Sequence, residues 1–507
     1  MYVTCPLFHA QRINHFHLVV SVHQPPWQKG PSEALDLKVR NCPDTVCLVR
    51  PLSRLILMVT TNDSNADRKH SLTSNQSKTQ ILRQTTTESW GQENQALGWY
   101  NEWLALQFDS LPNDIFNIFP TRKDDGQENT GPERKWQPLI SAFLRIEECI
   151  ISTPSITIDQ IILQLLDEGF LIVESVDNTT SSEQNFQYAQ YFIFCALGWQ
   201  TMLFTPASPS NNSITWEAPR LAINEQDGCC GYTHMSLEQD SRACSRESLS
   251  EFLMGFGVLL PSKNMCLDDD PNIQQAFHQQ TEVYPKGFNA YTLNAVAGLR
   301  IKWVDALACH LEFNSTTKEI SLFRFPSFCQ SMLLRSTKVG RPGVIHTCAT
   351  TSHLRCQWAT EDEINQLLVE ILLSYRLLFG QTSKSRAFFR SSVNPFTRKS
   401  NASRDNIRDP LLLALCGTKT PCHSILNGLV EKDTYYLLRD FTILRYRISV
   451  LQRNLSSTAP RTWVQLWRDN RDSASWLTFW AVIIFGAFGC FMSFLQVILQ
   501  FVQLFLQ

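Results

Sequence analysis

The chain has 507 residues, of which 43% are hydrophobic and 18% are charged, and its formal net charge is −2. A chain of this length and apolar content can bury large cores, which excludes a disordered tether. Near neutrality without a dense basic patch argues against nucleic acid as a partner, because nucleic-acid binding uses clustered lysine and arginine. The 16 cysteines lack the framework spacing of small secreted disulfide scaffolds, which predicts reduced thiols in a cytosolic domain.

The first 95 residues lack regular hydrophobic periodicity. Residues 60–87 are rich in serine, threonine, asparagine and glutamine. Such a composition buries too little apolar surface to offset the entropy of ordering, so we predict that residues 1–95 are disordered. The first 26 residues also lack the basic start and continuous apolar core of a secretory signal peptide.

Residues 96–335 are predicted to form an α+β domain, because helical and strand patterns intermingle along this stretch. One predicted helix begins at the capping pair Thr157 and Gln160 and ends at Gly169. Further helices are predicted at residues 136–151, 186–197, 248–260, 289–296 and 304–311. Strands are predicted at residues 170–173, 200–204 and 319–325.

Residues 336–360 are predicted to be a linker that contains cysteine and histidine. His346, Cys348, His353 and Cys356 lie within eleven residues, HTCATTSHLRC. Sulfur and imidazole ligands are the types that a tetrahedral zinc site uses. The spacing matches no known zinc finger, and an ordinary linker explains the same residues. Zinc binding is one hypothesis for this segment, and a linker without metal is the other.

Residues 361–455 are predicted to be mainly α-helical. Thr360 and Glu363 have capping-box spacing, an apolar face follows, and Gly380 ends the helix. A later heptad pattern is too short to require a coiled coil and predicts core packing instead; its members are Leu437, Phe441, Leu444, Ile448 and Leu451. Residues 376–408 hold eight basic residues and one acidic residue. This stretch either contacts an anionic membrane leaflet or forms an exposed basic loop.

Residues 476–507 contain no charged residue and begin with the apolar run WLTFWAVIIFGAFGCFMSFL. About 20 apolar residues in a helix are enough to cross a bilayer. The sequence therefore predicts one transmembrane helix at residues 476–507, preceded by a juxtamembrane segment at residues 456–475. The predicted fold class is an α+β cytosolic region, then a mainly α-helical region, then this single C-terminal transmembrane helix.

The residues that flank the apolar run predict its orientation. Arg461, Arg468 and Arg471 precede it, and no lysine or arginine follows it. Positively charged residues are retained on the cytoplasmic side of a membrane, so we expect the large N-terminal region to be cytosolic. Trp476 and Trp480 lie at the predicted entry point, where indole rings favour the headgroup region.

One face of the apolar segment carries small and polar residues at a spacing of three and four. Its members are Gly486, Gly489, Ser493, Gln496, Gln500 and Gln503. Small residues let helices approach closely and glutamine amides hydrogen bond across a helix pair, so this face is consistent with self-association. The alternative is an amphipathic end that lies at the far membrane interface and needs no partner.

Four blocks of sequence resemble a group of fungal proteins of unknown function. They are WVDALACHLEF at residues 303–313, LFRFPSFC at 322–329, SYRLLFGQ at 374–381 and LWRDNRDSASWLTFW at 466–480. The resemblance implies a cytosolic domain carried on one C-terminal helix. It supplies no catalytic residue.

No phosphate-binding loop, nucleophile elbow, zinc-protease helix, dinucleotide fingerprint or protein-kinase motif occurs in the sequence. Cys309 and His310 are adjacent, but neighbours on a helix point in different directions, which favours a structural role. We therefore predict a non-enzymatic, single-pass protein of an intracellular membrane, with the lipid bilayer and a cytosolic protein as partners. The alternative is a membrane-anchored enzyme or a zinc-dependent domain.

Overall fold

The computed structural model describes residues 98–120, 132–153, 155–172, 179–207, 221–224, 238–257, 271–336, 340, 342–350, 359–396, 407–419, 431–458 and 473–506. These residues are mostly helical, with a few small sheets and one long apolar helix at the C-terminal end. The predicted fold class is confirmed only in this coarse form, because the strands are few and short. The disorder predicted for residues 1–95 lies outside the described residues.

The helices and strands follow one another in chain order. The helices are α1 (Gly98–Asp109), α2 (Pro132–Ser152), α3 (Ile158–Asp167), α4 (Thr179–Thr201), α5 (Ala243–Arg246), α6 (Leu249–Phe256), α7 (Pro271–Gln279), α8 (Ala290–Ala295), α9 (Pro326–Leu334), α10 (Val344–Thr350), α11 (Glu361–Tyr375), α12 (Ser383–Phe388), α13 (Pro410–Gly417), α14 (Leu437–Asp440), α15 (Arg445–Ser457) and α16 (Ser473–Leu506). The strands are β1 (Leu221–Ala222), β2 (Glu238–Gln239), β3 (Glu282–Val283), β4 (Arg300–Val304), β5 (Phe313–Asn314), β6 (Glu319–Phe323) and β7 (Tyr435–Tyr436).

The strands form three small sheets. The largest has the order β4-β6-β5, with β4 and β6 parallel and β5 and β6 antiparallel. The other two are antiparallel pairs, β1 with β2 and β3 with β7. The pairing of β3 with β7 joins the predicted α+β region to the predicted helical region.

One hydrophobic core extends from Trp99 in α1 to Leu455 in α15. It therefore includes residues from both predicted regions, 96–335 and 361–455. The segment predicted as a linker contributes to it through α10, whose Ile345 and Cys348 are buried. The two regions differ in their elements but share one core.

Helix α3 begins and ends as the sequence predicts, but no strand follows it in the described residues. The Thr157 side chain accepts from the backbone of Gln160, whose side chain accepts from Thr157 N–H, which completes the capping box. Gly169 has a φ of 74°, and the N–H of Phe170 donates to Leu165 O at 2.8 Å. This is the Schellman motif. It occupies the N–H of Phe170, which is therefore not free to pair with a neighbouring strand. The predicted strand at 170–173 is wrong over its described residues.

Helix α4 continues through Gly198 and ends at Thr201, where a strand at 200–204 was predicted. Gly198 is required because a Cβ there would lie 2.9 Å from a ring carbon of Phe204. The glycine permits close packing and does not end the helix. Gln200 is buried within the helix and donates to Phe143 O at 2.7 Å. The prediction of a strand here is wrong.

The helix predicted at 304–311 is also wrong. Val304 is the last residue of β4, residues Leu307–Cys309 form one short 3-10 turn, and Leu311 has a φ of 63°. The backbone turns here because Leu311 N–H bonds to Ser321 O on β6 at 2.8 Å. By contrast, β6 confirms the predicted strand at 319–325, and α8 confirms the predicted helix at 289–296 with Asn289 as its N-cap.

Helix α11 confirms the prediction from its capping pair. Thr360 accepts from Glu363 N–H, and the Glu363 side chain accepts from Thr360 N–H. A π-helical turn, Arg376–Gly380, follows the helix. All five residues of the predicted heptad pattern are buried, which confirms core packing. They do not lie on one continuous helix, because residues 441–444 separate α14 from α15.

Candidate functional site

Helix α16 is long and apolar, and most of its apolar side chains are exposed. It is continuous over 34 residues. The segment Leu477–Leu506 has a mean hydropathy of 2.3, and no residue in its most apolar part is buried. Large apolar side chains are exposed along it; Phe485 is 74% exposed and Phe505 is 80% exposed. At about 1.5 Å per residue, the helix is about 51 Å long, against about 30 Å for a hydrocarbon core. It is therefore long and apolar enough to cross a membrane.

The predicted anchor residues all lie on this helix. Gly486, Gly489, Ser493, Gln496, Gln500 and Gln503 are exposed. Ser493 donates to Gly489 O at 3.0 Å, which satisfies its hydroxyl within the helix. A Cβ on either glycine would meet no atom within 4 Å, so that part of the face is open. Trp480 is half-buried, and the side chain of Trp476 lies outside the described residues.

The predicted zinc ligands are only half described. His346 and Cys348 lie in α10 and are buried, whereas His353 and Cys356 lie outside the described residues. Both ring nitrogens of His346 have protein partners: Nδ1 accepts from Gly343 N–H at 3.3 Å, and Nε2 lies 3.0 Å from Asn365 Oδ1. To bind zinc, His346 must give up one of these contacts. Within the described residues no group of three ligand-type side chains forms a metal cluster. Zinc binding by these four residues stays a prediction.

A network of buried hydrogen bonds surrounds His310. Its Nδ1 accepts from Phe323 N–H at 3.2 Å, and its Nε2 lies 2.7 Å from Ser374 Oγ. The Arg447 guanidinium donates to the His310 carbonyl, and the Tyr375 hydroxyl donates to Phe323 O. His310 and Ser374 are fully buried. Residues 303–313, 322–329 and 374–381, three of the sequence blocks quoted above, each contribute a residue at this point.

A histidine beside a serine suggests a nucleophile and its base, but the hydrogen bonds assign the opposite roles. Because Nδ1 accepts, the proton of the neutral ring lies on Nε2, which donates to Ser374 Oγ. Ser374 Oγ in turn donates to Ile371 O at 2.6 Å. Burial, with the positive charge of Arg447, lowers the pKa of His310 from 6.5 to about 3. The ring is a fixed neutral donor and cannot take the serine proton, so the arrangement is structural.

Several buried charges position backbone groups and were missed by the sequence analysis. Glu370 accepts from the N–H groups of Ile443 at 3.1 Å and Leu444 at 2.7 Å, at the start of α15. Burial raises the pKa of Glu370. The sequence carries one signal for this role, which is that Glu370 lies on the apolar side of α11. A carboxylate buried there requires hydrogen-bond donors from the surrounding fold.

Arg376 is the largest fully buried side chain among the described residues. It donates to the carbonyls of Leu415 and Thr418 at the end of α13, and it forms an ion pair with Glu431. A cation at the C-terminus of a helix stabilises its unpaired carbonyls. Arg376 is therefore part of the core, and the basic stretch that begins with it is not entirely a loop, because α12 follows.

The described residues form a mostly helical fold with small sheets, and one helix among them is long and apolar enough to cross a membrane. No protein-family model, curated protein or solved structure matches the chain. The resemblance of the four sequence blocks to fungal proteins stays a prediction.

Proposed function

We propose that the chain is a single-pass protein of an intracellular membrane, in which α16 anchors a folded cytosolic region that binds other proteins. The supporting observation is the exposure of residues 484–506 of α16, a helix of 34 residues without a charge. Exposed apolar surface of this extent is unfavourable in water and requires a bilayer or a partner to cover it. The bilayer is the first partner because the helix is apolar on nearly every face.

The charge around the helix supports the cytosolic orientation. Arg461, Arg468 and Arg471 precede α16, and residues 476–507 contain no lysine or arginine. The arginine side faces the cytosol under the positive-inside rule. Reduced thiols fit this compartment, and Cys195, Cys329 and Cys348 are buried and unpaired by disulfides.

The interaction role is supported by an exposed group of side chains beside the β3–β7 pair. Tyr284 is 53% exposed, Tyr436 is 44% exposed and Leu438 is 60% exposed. Tyrosine and leucine exposed together on a folded surface are typical of protein contacts. Leu438→Asp is expected to remove partners that proximity labelling of the native chain detects, while leaving the fold intact.

Alkaline carbonate extraction of membranes tests the anchoring. The native chain is expected to stay in the membrane pellet. Ile484→Lys with Phe488→Lys places two charges within the apolar run, each costing about 3 kcal/mol at the bilayer centre, and should release the chain to the supernatant. Ile484→Leu with Phe488→Leu is the matched control and should stay in the pellet. Release of the native chain would contradict the proposal.

A further inference from the structure

The small and polar residues of α16 form one continuous seam, defined as Gly486, Gly489, Ser493, Gln496, Gln500 and Gln503. Helix α16 is unbroken across all six positions. At about 100° per residue, the six residues lie within a sector of about 100°. The remaining faces carry phenylalanine, leucine, isoleucine and valine. The seam is therefore a polar stripe on an apolar helix.

The three glutamine amides give the seam its chemistry. Each is exposed, and none has a hydrogen-bond partner among the described residues. Within a helix interface that excludes water, a primary amide without a partner is costly. Unlike a carboxylate or an ammonium group, the glutamine amide has both a donor and an acceptor, so it can pair with a second glutamine amide. The seam is complementary to itself.

Membrane topology fixes how two copies meet. Copies inserted with the same orientation can pair only in parallel, so each residue lies at the same depth as its counterpart. A two-fold axis along the membrane normal then places Gln496, Gln500 and Gln503 opposite the same residues of the second copy. Gly486 and Gly489, with open space above them, let the two backbones approach at the other end of the seam.

The spacing of the seam selects the hand of the pair. Alternation of three and four residues repeats every 3.5 residues on average, which gives a left-handed crossing. The two glycines are three residues apart, so they do not form the four-residue motif of right-handed pairs. The seam runs from Gly486 to Gln503, about 26 Å along the helix.

We propose that α16 pairs in parallel with a second copy of itself through this seam, and that amide hydrogen bonds between the glutamines hold the pair. The inference rests on the proposed function, because parallel registration requires insertion in a membrane. The occupant of the seam that we propose is the same chain, because an identical helix in parallel register places a glutamine amide opposite every glutamine.

Disulfide cross-linking in native membranes measures which face of α16 lies in the pair. Cys490→Ala removes the exposed native thiol next to the seam and sets the background for the cysteines elsewhere in the full chain. Ser493→Cys in this background places a thiol on the seam, and Phe491→Cys places one on the opposite face. After mild oxidation, dimer is expected well above background for Ser493→Cys and at background for Phe491→Cys.

The glutamines are tested in the same full chain. Gln500→Leu with Gln503→Leu removes two amide pairs and should weaken dimerisation about ten-fold, measured by energy transfer between labelled chains at varied protein-to-lipid ratios. Ile498→Leu with Val502→Leu also introduces two leucines, but on the opposite face, and should leave dimerisation unchanged. Equal effects of the two pairs of substitutions would overturn the inference.

Carbonate extraction of the same membranes separates the two levels of failure. If the chain stays in the pellet but Ser493→Cys and Phe491→Cys form equal amounts of dimer, the seam does not mediate pairing, and the anchoring stands. If carbonate releases the chain, the anchoring fails, and the pairing that rests on it is overturned as well.

Discussion

Buried neutral His310 makes the folded region sensitive to acid. The unfolded chain takes up a proton on this histidine near its ordinary pKa of 6.5, whereas the folded chain does so only near a pKa of about 3. At a pH between these two pKa values, the unfolded chain binds the proton and the folded chain does not. The free energy of unfolding therefore falls as the pH falls from 6.5 towards 3. The expected loss from this one residue between pH 8 and pH 5 is about 2 kcal/mol.

Asp409 acts in the opposite direction. Burial raises its pKa from 3.8 to about 6 in the folded chain, although Ser327 and Leu411 donate to it. The folded state then binds the proton more tightly, so the contribution of Asp409 is fully present below pH 3.8 and is lost as the pH rises through about 6. It offsets about 1.4 kcal/mol of the His310 effect between pH 8 and pH 5.

Comparison of the native chain with His310→Gln isolates the histidine, because the Asp409 contribution is common to both. Urea unfolding in detergent micelles, followed by tryptophan fluorescence at pH 5, 6, 7 and 8, gives both unfolding free energies. We expect His310→Gln to be less stable at pH 8 and the difference to shrink by about 2 kcal/mol at pH 5. His278→Gln, which makes the same substitution at an exposed histidine, is the matched control. A difference for His310→Gln that stays constant from pH 8 to pH 5 would refute the buried, neutral ring.

Three further predictions concern single substitutions. Gly380→Ala would place a Cβ inside the Arg376 guanidinium, so we expect the free energy of unfolding in urea to fall by about 2 kcal/mol or more. A Cβ at Gly417 would meet open space, so Gly417→Ala should change that free energy by less than about 1 kcal/mol. Equal effects would contradict this packing. Glu370→Gln turns an amide N–H towards backbone donors and should cost about 2 kcal/mol, and an unchanged unfolding midpoint would contradict its role at α15. Zinc binding requires one zinc per purified chain by elemental analysis, lost on Cys356→Ala; folded protein without metal would exclude it.

Local signals in the sequence predict the helix ends well. The capping boxes at Thr157 and Thr360 and the left-handed Gly169 depend on residues within one helical turn, so their meaning does not depend on the rest of the fold. Gly198 shows the limit of such signals. A glycine that ends a helix and a glycine that admits an aromatic ring look the same in sequence, and only the position of Phe204 separates them.

The buried polar groups depend on contacts between distant residues and could not be predicted. His310 and Ser374 are 64 residues apart in sequence, and Glu370 contacts Leu444 across 74 residues. Cys309 is the neighbour of His310 in sequence, whereas the side chain of His310 has its hydrogen-bond partners on β6 and α11. The apolar helix was predictable because membrane crossing depends on length and composition alone.

Protease protection combined with glycosylation mapping on sealed microsomes tests the central claim most directly. Asn314, in β5, begins the sequence Asn-Ser-Thr, which is an acceptor for N-glycosylation in the lumen. With an epitope tag at each end, the account predicts that added protease digests the N-terminal tag and that Asn314 carries no glycan. A protected N-terminal tag together with glycosylated Asn314 would place the folded region in the lumen and contradict the cytosolic orientation.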